Sequence, residues 1–414
     1  EEIGIYTVDI YGTINPTFTS LSPIAVIDKT IPRCRGNNNT IECKVLADNP
    51  IRRSVGDNQT LGNGFETTDE EYTTFTSRAS FKVTDTNTNI KTLYTTSKTE
   101  DNSTVYYYAG DARNNWIVFG TETKSNITYD ICWRIIRTNE DIEGNGIRLL
   151  YAGTYDNETH ECGNTTTGYI GKSYWGNYYD PSFVGYMRSD GNSLAEDRQN
   201  TQDSVIKKDI DNWYSTKTNL GTLSNKLNNK AIYCNDRSIV QGSYNDTSTF
   251  LGFGSFERLY SNKIPNIKCG ANTTGGLYET VQSIADKFTV DSLIGNGDLT
   301  YPVALITADE LSFLGHVAGG SWKAGIYFEL NKNNESITGG SLCYTMSPSE
   351  IITAYGSYYM FYLDDYRLGQ LTGSYNRENG KIDKKMAVRP VLSLSSNVLW
   401  TSGDGCYSNP YIVQ

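Results

Sequence analysis

The sequence predicts a β-rich α+β protein, and three observations predict it. The 31 Tyr and 38 Gly, with abundant Thr and Asn, stand beside only 10 Pro and 4 Met. Tyr and Thr fit half-buried pleated surfaces, and Gly and Asn fit the turns between strands. Short apolar runs of strand character recur along the whole chain, and only two segments change to helical period. At 414 residues the chain is long enough for two or three domains, each with a core of its own.

Residues 3–10, 24–29 and 41–47 read as the first strands. Residues 79–85 and 90–96 come next as a hairpin across 86–89. The polar run 97–103 reads as a linker, which gives a sandwich-like all-β domain over 1–100 and a second domain over 103–414. A strand at the chain start can pair within its own domain or be donated to another copy of the chain. In the second part, 105–110 and 115–119 are strand-like, and 131–137 with 146–151 form a strong hairpin pattern. Ile206, Ile210 and Trp213 lie at i, i+4 and i+7, one face of a helix over 203–217. Thr307 and Glu310 have capping-box spacing ahead of Leu311 and Leu314, and Gly315 is placed to end that helix. Short strands at 387–394, 398–400 and 411–413 close the chain.

Composition excludes several function classes. Lys plus Arg is 36 and Asp plus Glu is 47, a net charge of −11 with no basic block, so nucleic acid is not an expected partner. No apolar run approaches the ~20 residues of a membrane-spanning helix, so no transmembrane segment is expected. No leader stands at the start, and an exported chain would have lost one. His160 and His316 are the only histidines, which disfavours His-rich metal sites and Ser-His-Asp chemistry.

The eight cysteines are Cys34, Cys43, Cys132, Cys162, Cys234, Cys269, Cys343 and Cys406, none in a CxxC pair. Zinc is therefore disfavoured, and disulfides in an oxidising compartment are expected. Eight cysteines allow 105 connectivities, and sequential pairing is the simplest because each pair brackets a compact segment. Nine N-x-[ST] sequons, starting at Asn38, Asn58, Asn102, Asn126, Asn157, Asn164, Asn245, Asn272 and Asn334, mark surface loops.

Candidate chemistry is sparse. Asn139, Asp141 and Glu143 place oxygen ligands at alternate positions before Gly144, as a calcium loop begins. Position twelve of such a loop is Leu150, which cannot ligate, and a hairpin turn accounts for the same residues. Calcium is thus the one cofactor considered, and none is expected. The acid pairs Asp364–Asp365 and Asp209/Asp211 have the residue type for glycoside hydrolysis, but nothing frames a cleft around them, and solvated faces explain them. Tyr355, Tyr358, Tyr359, Phe361 and Tyr362 crowd one stretch that could stack on sugar rings, bury against another subunit or line a loop layer.

A set of ordered stretches carries a family resemblance. They are Asn114-Asn115-Trp116 with Phe119, Cys132-Trp133-Arg134-Ile135-Ile136-Arg137, Ile147-Arg148-Leu149-Leu150-Tyr151, Ile206-Lys207 with Trp213-Tyr214, and Cys234-Asn235-Asp236-Arg237-Ser238. They continue with Leu305-Ile306-Thr307-Ala308-Asp309-Glu310, Tyr344-Thr345-Met346-Ser347-Pro348, Val388-Arg389-Pro390-Val391 and Ser402-Gly403-Asp404-Gly405. Together they resemble an uncharacterised bacterial surface-protein domain, often found in exported or pilin-like proteins. The resemblance implies a C-type-lectin-like domain with long loops, in the branch of the formylglycine-generating enzyme, over 103–414. It implies that Tyr411–Val413 lies beside the domain's opening strands, that Cys132/Cys162 and Cys234/Cys269 are local pairs, and that Cys343 and Cys406, both departures from the family, bridge each other. Residues 1–100 resemble nothing known.

The implied function is that of a non-enzymatic structural protein of the cell surface, a subunit of a filament or pilus-like assembly that joins copies of itself through the N-terminal strand. An alternative is an adhesin-like module that holds a glycan or host protein at Trp322, Tyr358 and Tyr359, although the Glu-Pro-Asn sugar motif of lectins is absent. A further alternative is an oxidoreductase-like enzyme of the formylglycine-generating type. Gly319-Gly320-Ser321-Trp322 echoes that branch, but no other part of the enzyme signature is visible, and no catalytic residue is assigned.

Overall fold

The computed structural model describes residues 34, 38–49, 51–54, 93–108, 114–176, 185–188, 199–241, 251–262, 264–270, 286–316, 318, 331–333, 335–352, 357–364, 370–373 and 384–414. In chain order its strands are β1 (Ile51–Ser54), β2 (Leu93–Thr96), β3 (Val105–Tyr108), β4 (Trp116–Lys124), β5 (Ile127–Thr138), β6 (Gly146–Thr154), β7 (Lys172–Ser173), β8 (Met187–Arg188), β9 (Gln202–Asp203), β10 (Tyr233–Cys234), β11 (Ile239–Gln241), β12 (Leu251–Phe253), β13 (Lys287–Phe288), β14 (Val303–Leu305), β15 (Leu342–Ile352), β16 (Ser357–Asp364), β17 (Gln370–Gly373), β18 (Met386–Ala387), β19 (Pro390–Ser395), β20 (Trp400–Ser402) and β21 (Tyr411–Val413). The helices that frame the core are α1 (Ile41–Asp48), α2 (Val205–Lys217) and α3 (Ala308–Leu314). This is the β-rich α+β class expected from composition and pattern.

The larger sheet runs β1-β2-β3-β5-β4-β21-β20 and branches from β5 through β6 and β19 to β14. β5 is its hub. β3 and β4 share one of its edges and β6 takes the other, pairing Ile135 with Leu149 and Trp133 with Tyr151. β21 adds to β4 in parallel, Tyr411 opposite Ile117, so the last strand does lie beside an early one. The second sheet runs β11-β12-β15-β16-β17, with β18 attached to β15 and β7 to β18.

One apolar core joins both sheets and all three helices. It takes Ile41 and Val45 from α1, Ile206, Ile210 and Trp213 from α2, Leu311 and Leu314 from α3, and Tyr344, Met346 and Phe361 from the second sheet. The helices start where side-chain caps are present. Ser204 accepts the N–H of Lys207 at the start of α2. At α3, Thr307 and Glu310 cap each other's backbone N–H groups, and the helix ends at Gly315 with φ 122°, a left-handed conformation that Gly adopts without steric cost.

Two expectations are corrected. Residues 41–47 form helix α1, not a strand. Ile41, Cys43 and Val45 have period two, which mimics a strand, but Thr40 accepts the N–H of Cys43 and starts a helix. That helix turns Ile41 and Val45 inward together and points Glu42 at the N–H of Gly146, 2.8 Å away. The run 97–103 is a turn, not a linker. β2 and β3 pair antiparallel across it, Leu93 opposite Tyr108 and Thr96 opposite Val105. Asp101 accepts the N–H of Ser103 at 2.9 Å, and Thr99 donates to the Ser103 carbonyl at 2.6 Å. The described parts of residues 1–100 thus share a sheet and a core with strands and helices of the 103–414 region. The expected strands at 3–10 and 24–29 and the first strand of the 79–96 hairpin lie outside the described residues.

Three of the four expected disulfides are present: Cys34–Cys43, Cys132–Cys162 and Cys234–Cys269. Cys343 and Cys406 are not bridged. The register of β15 places Cys343 opposite Leu363 and Ala387 in the second sheet. Cys406 sits in the turn before β21 of the larger sheet, its N–H held by Asp404 at 3.0 Å. Of the sequons, Asn38, Asn102, Asn126, Asn157 and Asn164 are described, and all five are exposed.

Candidate functional site

The densest polar chemistry among the described residues is a buried ionic cluster. Its base is the β5–β6 hairpin, which projects Arg137 from β5 and Arg148 from β6 toward the same face. The 139–145 turn between them supplies Glu140 and Glu143, and α3 supplies Glu310. Arg148 Nη2 donates to Glu143 at 2.7 Å and Nη1 to Glu310 at 2.9 Å. Arg137 Nη1 donates to Glu143 at 3.2 Å and Nε to Glu310 at 3.0 Å. All four of these side chains are at most 3% exposed. Arg148 also donates to the carbonyl of Ile232 at 2.7 Å, and its guanidinium lies 4.7 Å from the ring centre of Tyr233.

Burial pushes the Glu143 carboxyl up, but Arg148, Arg137 and the N–H groups of Ile232 and Glu140 outweigh burial and hold it below the usual carboxylate range. The Glu310 carboxyl is held low in the same way by Arg148, Arg137 and the Thr307 N–H. Glu140 differs. Burial, with Glu143 beside it, pushes its carboxyl up to about 8 against the weaker pull of the arginines. Three carboxyl groups face two guanidinium groups, so one of them keeps its proton at neutral pH. Glu140 also accepts the N–H of Glu100 at 2.6 Å. Glu100 in turn accepts the N–H of Cys269 at 2.9 Å and pairs with Lys287 at 2.7 Å. The cluster thereby ties the 97–103 turn to the Cys234–Cys269 disulfide.

A second cluster adjoins it. Arg258 grips Asp309 through two N–H···O bonds of 2.8 and 2.9 Å and reaches Asp236 at 2.6 Å. A third lies under α2, where the Glu122 carboxylate bonds Tyr151, the Trp213 indole N–H at 3.0 Å and Lys124 at 2.9 Å. Burial and then Glu122 raise the Tyr151 phenol well above its usual range. In each cluster the carboxylates are bonded to groups of the protein itself. Two narrow clefts flank Glu310. One is bordered by Arg258, Asp309 and Lys268, the other by Phe313 and Ile136. Each has room for about one water. Chemically, the arrangement fastens β5, β6, α3 and the 231–234 segment together.

Asn139, Asp141 and Glu143, the described residues singled out as metal ligands, are not gathered into a site. Glu143 belongs to the ionic cluster and is committed to two arginines. Asn139 donates its amide to the carbonyl of Leu394 at 3.1 Å, and Asp141 is exposed in the turn. The three do not form a ligand set for calcium, and no His/Cys/Asp/Glu group suited to a metal occurs among the described residues. Tyr358 and Tyr359 lie on β16, opposite Ile351 and Glu350 of β15, and Trp322 is outside the described residues. No local sequence pattern groups Arg137, Arg148 and Glu310. The available signal was two arginines inside the apolar hairpin strands, because a charge at such a position must be paired. Comparison with protein-family models, with curated proteins and with solved structures gives no match.

Proposed function

We propose that the chain is a non-enzymatic structural protein of the cell surface, a cross-linked subunit of an extracellular assembly. The observation that carries this reading is the set of three disulfides, which persist in oxidising compartments outside the cytosol. The buried clusters fit the same reading, because their charged groups hold the fold together. The resemblance to exported surface domains points the same way. The test is to follow the native protein in its source cells by surface proteolysis and fractionation, with electron microscopy of shed material. Surface-exposed, oxidised protein in ordered assemblies is expected. A reduced, cytosolic monomer would overturn the reading.

A further inference from the structure

Arg137 is 2% exposed and carries three donor nitrogens. Nε is taken by Glu310 at 3.0 Å, and Nη1 by the Thr138 carbonyl at 2.9 Å and Glu143 at 3.2 Å. Nη2 has no partner among the described residues. A buried donor left unsatisfied destabilises a fold, more so when it is charged. Arg137 lines the cleft beside α3, whose other walls are Tyr107, Ile136, Ile267, Phe313 and Leu314, with Glu310 at one side.

We propose that this cleft is a binding site for one ordered water, which accepts from Arg137 Nη2 and donates to Glu310. The charges select a neutral occupant. An anion would meet Glu310, and a cation would meet Arg137. The size selects a small one, since the space admits about one water. An acceptor is available on the same wall. Glu310 Oε2 takes the Thr307 N–H at 3.1 Å and the Thr307 hydroxyl only at 3.4 Å, so it has lone-pair capacity left. The remaining walls are Tyr107, Ile136, Ile267, Phe313 and Leu314, apolar but for the Tyr107 phenol. The Tyr107 and Phe313 rings meet edge-on at 5.0 Å.

Crystallography of the full chain, at a resolution that shows ordered solvent, reads this directly. A peak at hydrogen-bond distance, about 3 Å, from both Arg137 Nη2 and a Glu310 carboxylate oxygen is expected. An empty cleft, a bulkier occupant, or Nη2 bonded to a protein atom would overturn the proposal. Arg137→Lys, which deletes Nη2, supplies a second reading: the peak should disappear in the variant. If it stays unchanged, the water is not held by Nη2 and the proposal fails.

Discussion

Replacing Glu140 with Gln isolates the proton held in the ionic cluster. The variant keeps the shape and an oxygen to accept the Glu100 N–H, but it cannot ionise. In the native protein the carboxyl is raised from its usual 4.5 to about 8 by burial and by Glu143. A raised carboxyl pKa means that the folded state holds the proton more tightly than the unfolded state. The associated stability is fully present below about pH 4.5 and is lost as pH rises through about 8. At ~1.36 kcal/mol per pH unit the native protein loses roughly 4–5 kcal/mol over that window from this group. Near pH 5 the two proteins should have similar stability. Toward pH 9 the Gln variant should be the more stable by several kcal/mol. Glu350, pushed up to about 7 by burial, titrates in the same window but is common to both, so the difference between the two profiles reports Glu140. Denaturant unfolding from pH 5 to 9 with disulfides intact measures it. Parallel pH profiles would refute the three-carboxyl, two-guanidinium reasoning.

Other consequences are as direct. Arg148→Met should cost about 3–5 kcal/mol, because Glu143 and Glu310 each lose a buried partner, and a shift of the denaturation midpoint reads it; a loss under about 1 kcal/mol would contradict the burial of the pair. Replacing Cys132 and Cys162 by Ala should destabilise by about 2–5 kcal/mol, seen as a lower melting temperature under non-reducing conditions. Thiol titration of the denatured, unreduced chain should find the two cysteines outside the three bridges; no reactive thiol would restore the Cys343–Cys406 bridge, and eight would remove the oxidising-compartment argument. Thr307→Ala should cost about 1 kcal/mol through loss of the α3 cap, and unfolding by circular dichroism measures it.

The elements that could be read from sequence are those whose signal is local. The β5–β6 hairpin comes from two apolar runs around a polar turn, α2 from the spacing of Ile206, Ile210 and Trp213, and α3 from the Thr307/Glu310 cap. The three local disulfides close short segments and needed no long-range information. One local pattern can serve two structures. Ile41, Cys43 and Val45 alternate like a strand yet belong to a helix, because a cap and a core contact decided between the two periods. The polar run 97–103 has the composition of a linker, but its Asp101 and Thr99 side chains bond within the run and make a turn.

By itself the sequence determined the β-rich class, the α3 cap and the hairpin that carries Arg137 and Arg148, and it made the three local cross-links the simplest pairing. Only the tertiary structure decided that Glu310, more than 160 positions along the chain from Arg148, completes their pairing, and that Cys343 lies in a strand of the second sheet while Cys406 lies in the turn before β21. The reason is physical. Backbone period and capping act over a few residues, whereas the pairing of a buried charge or thiol depends on which distant segment the packed core brings against it.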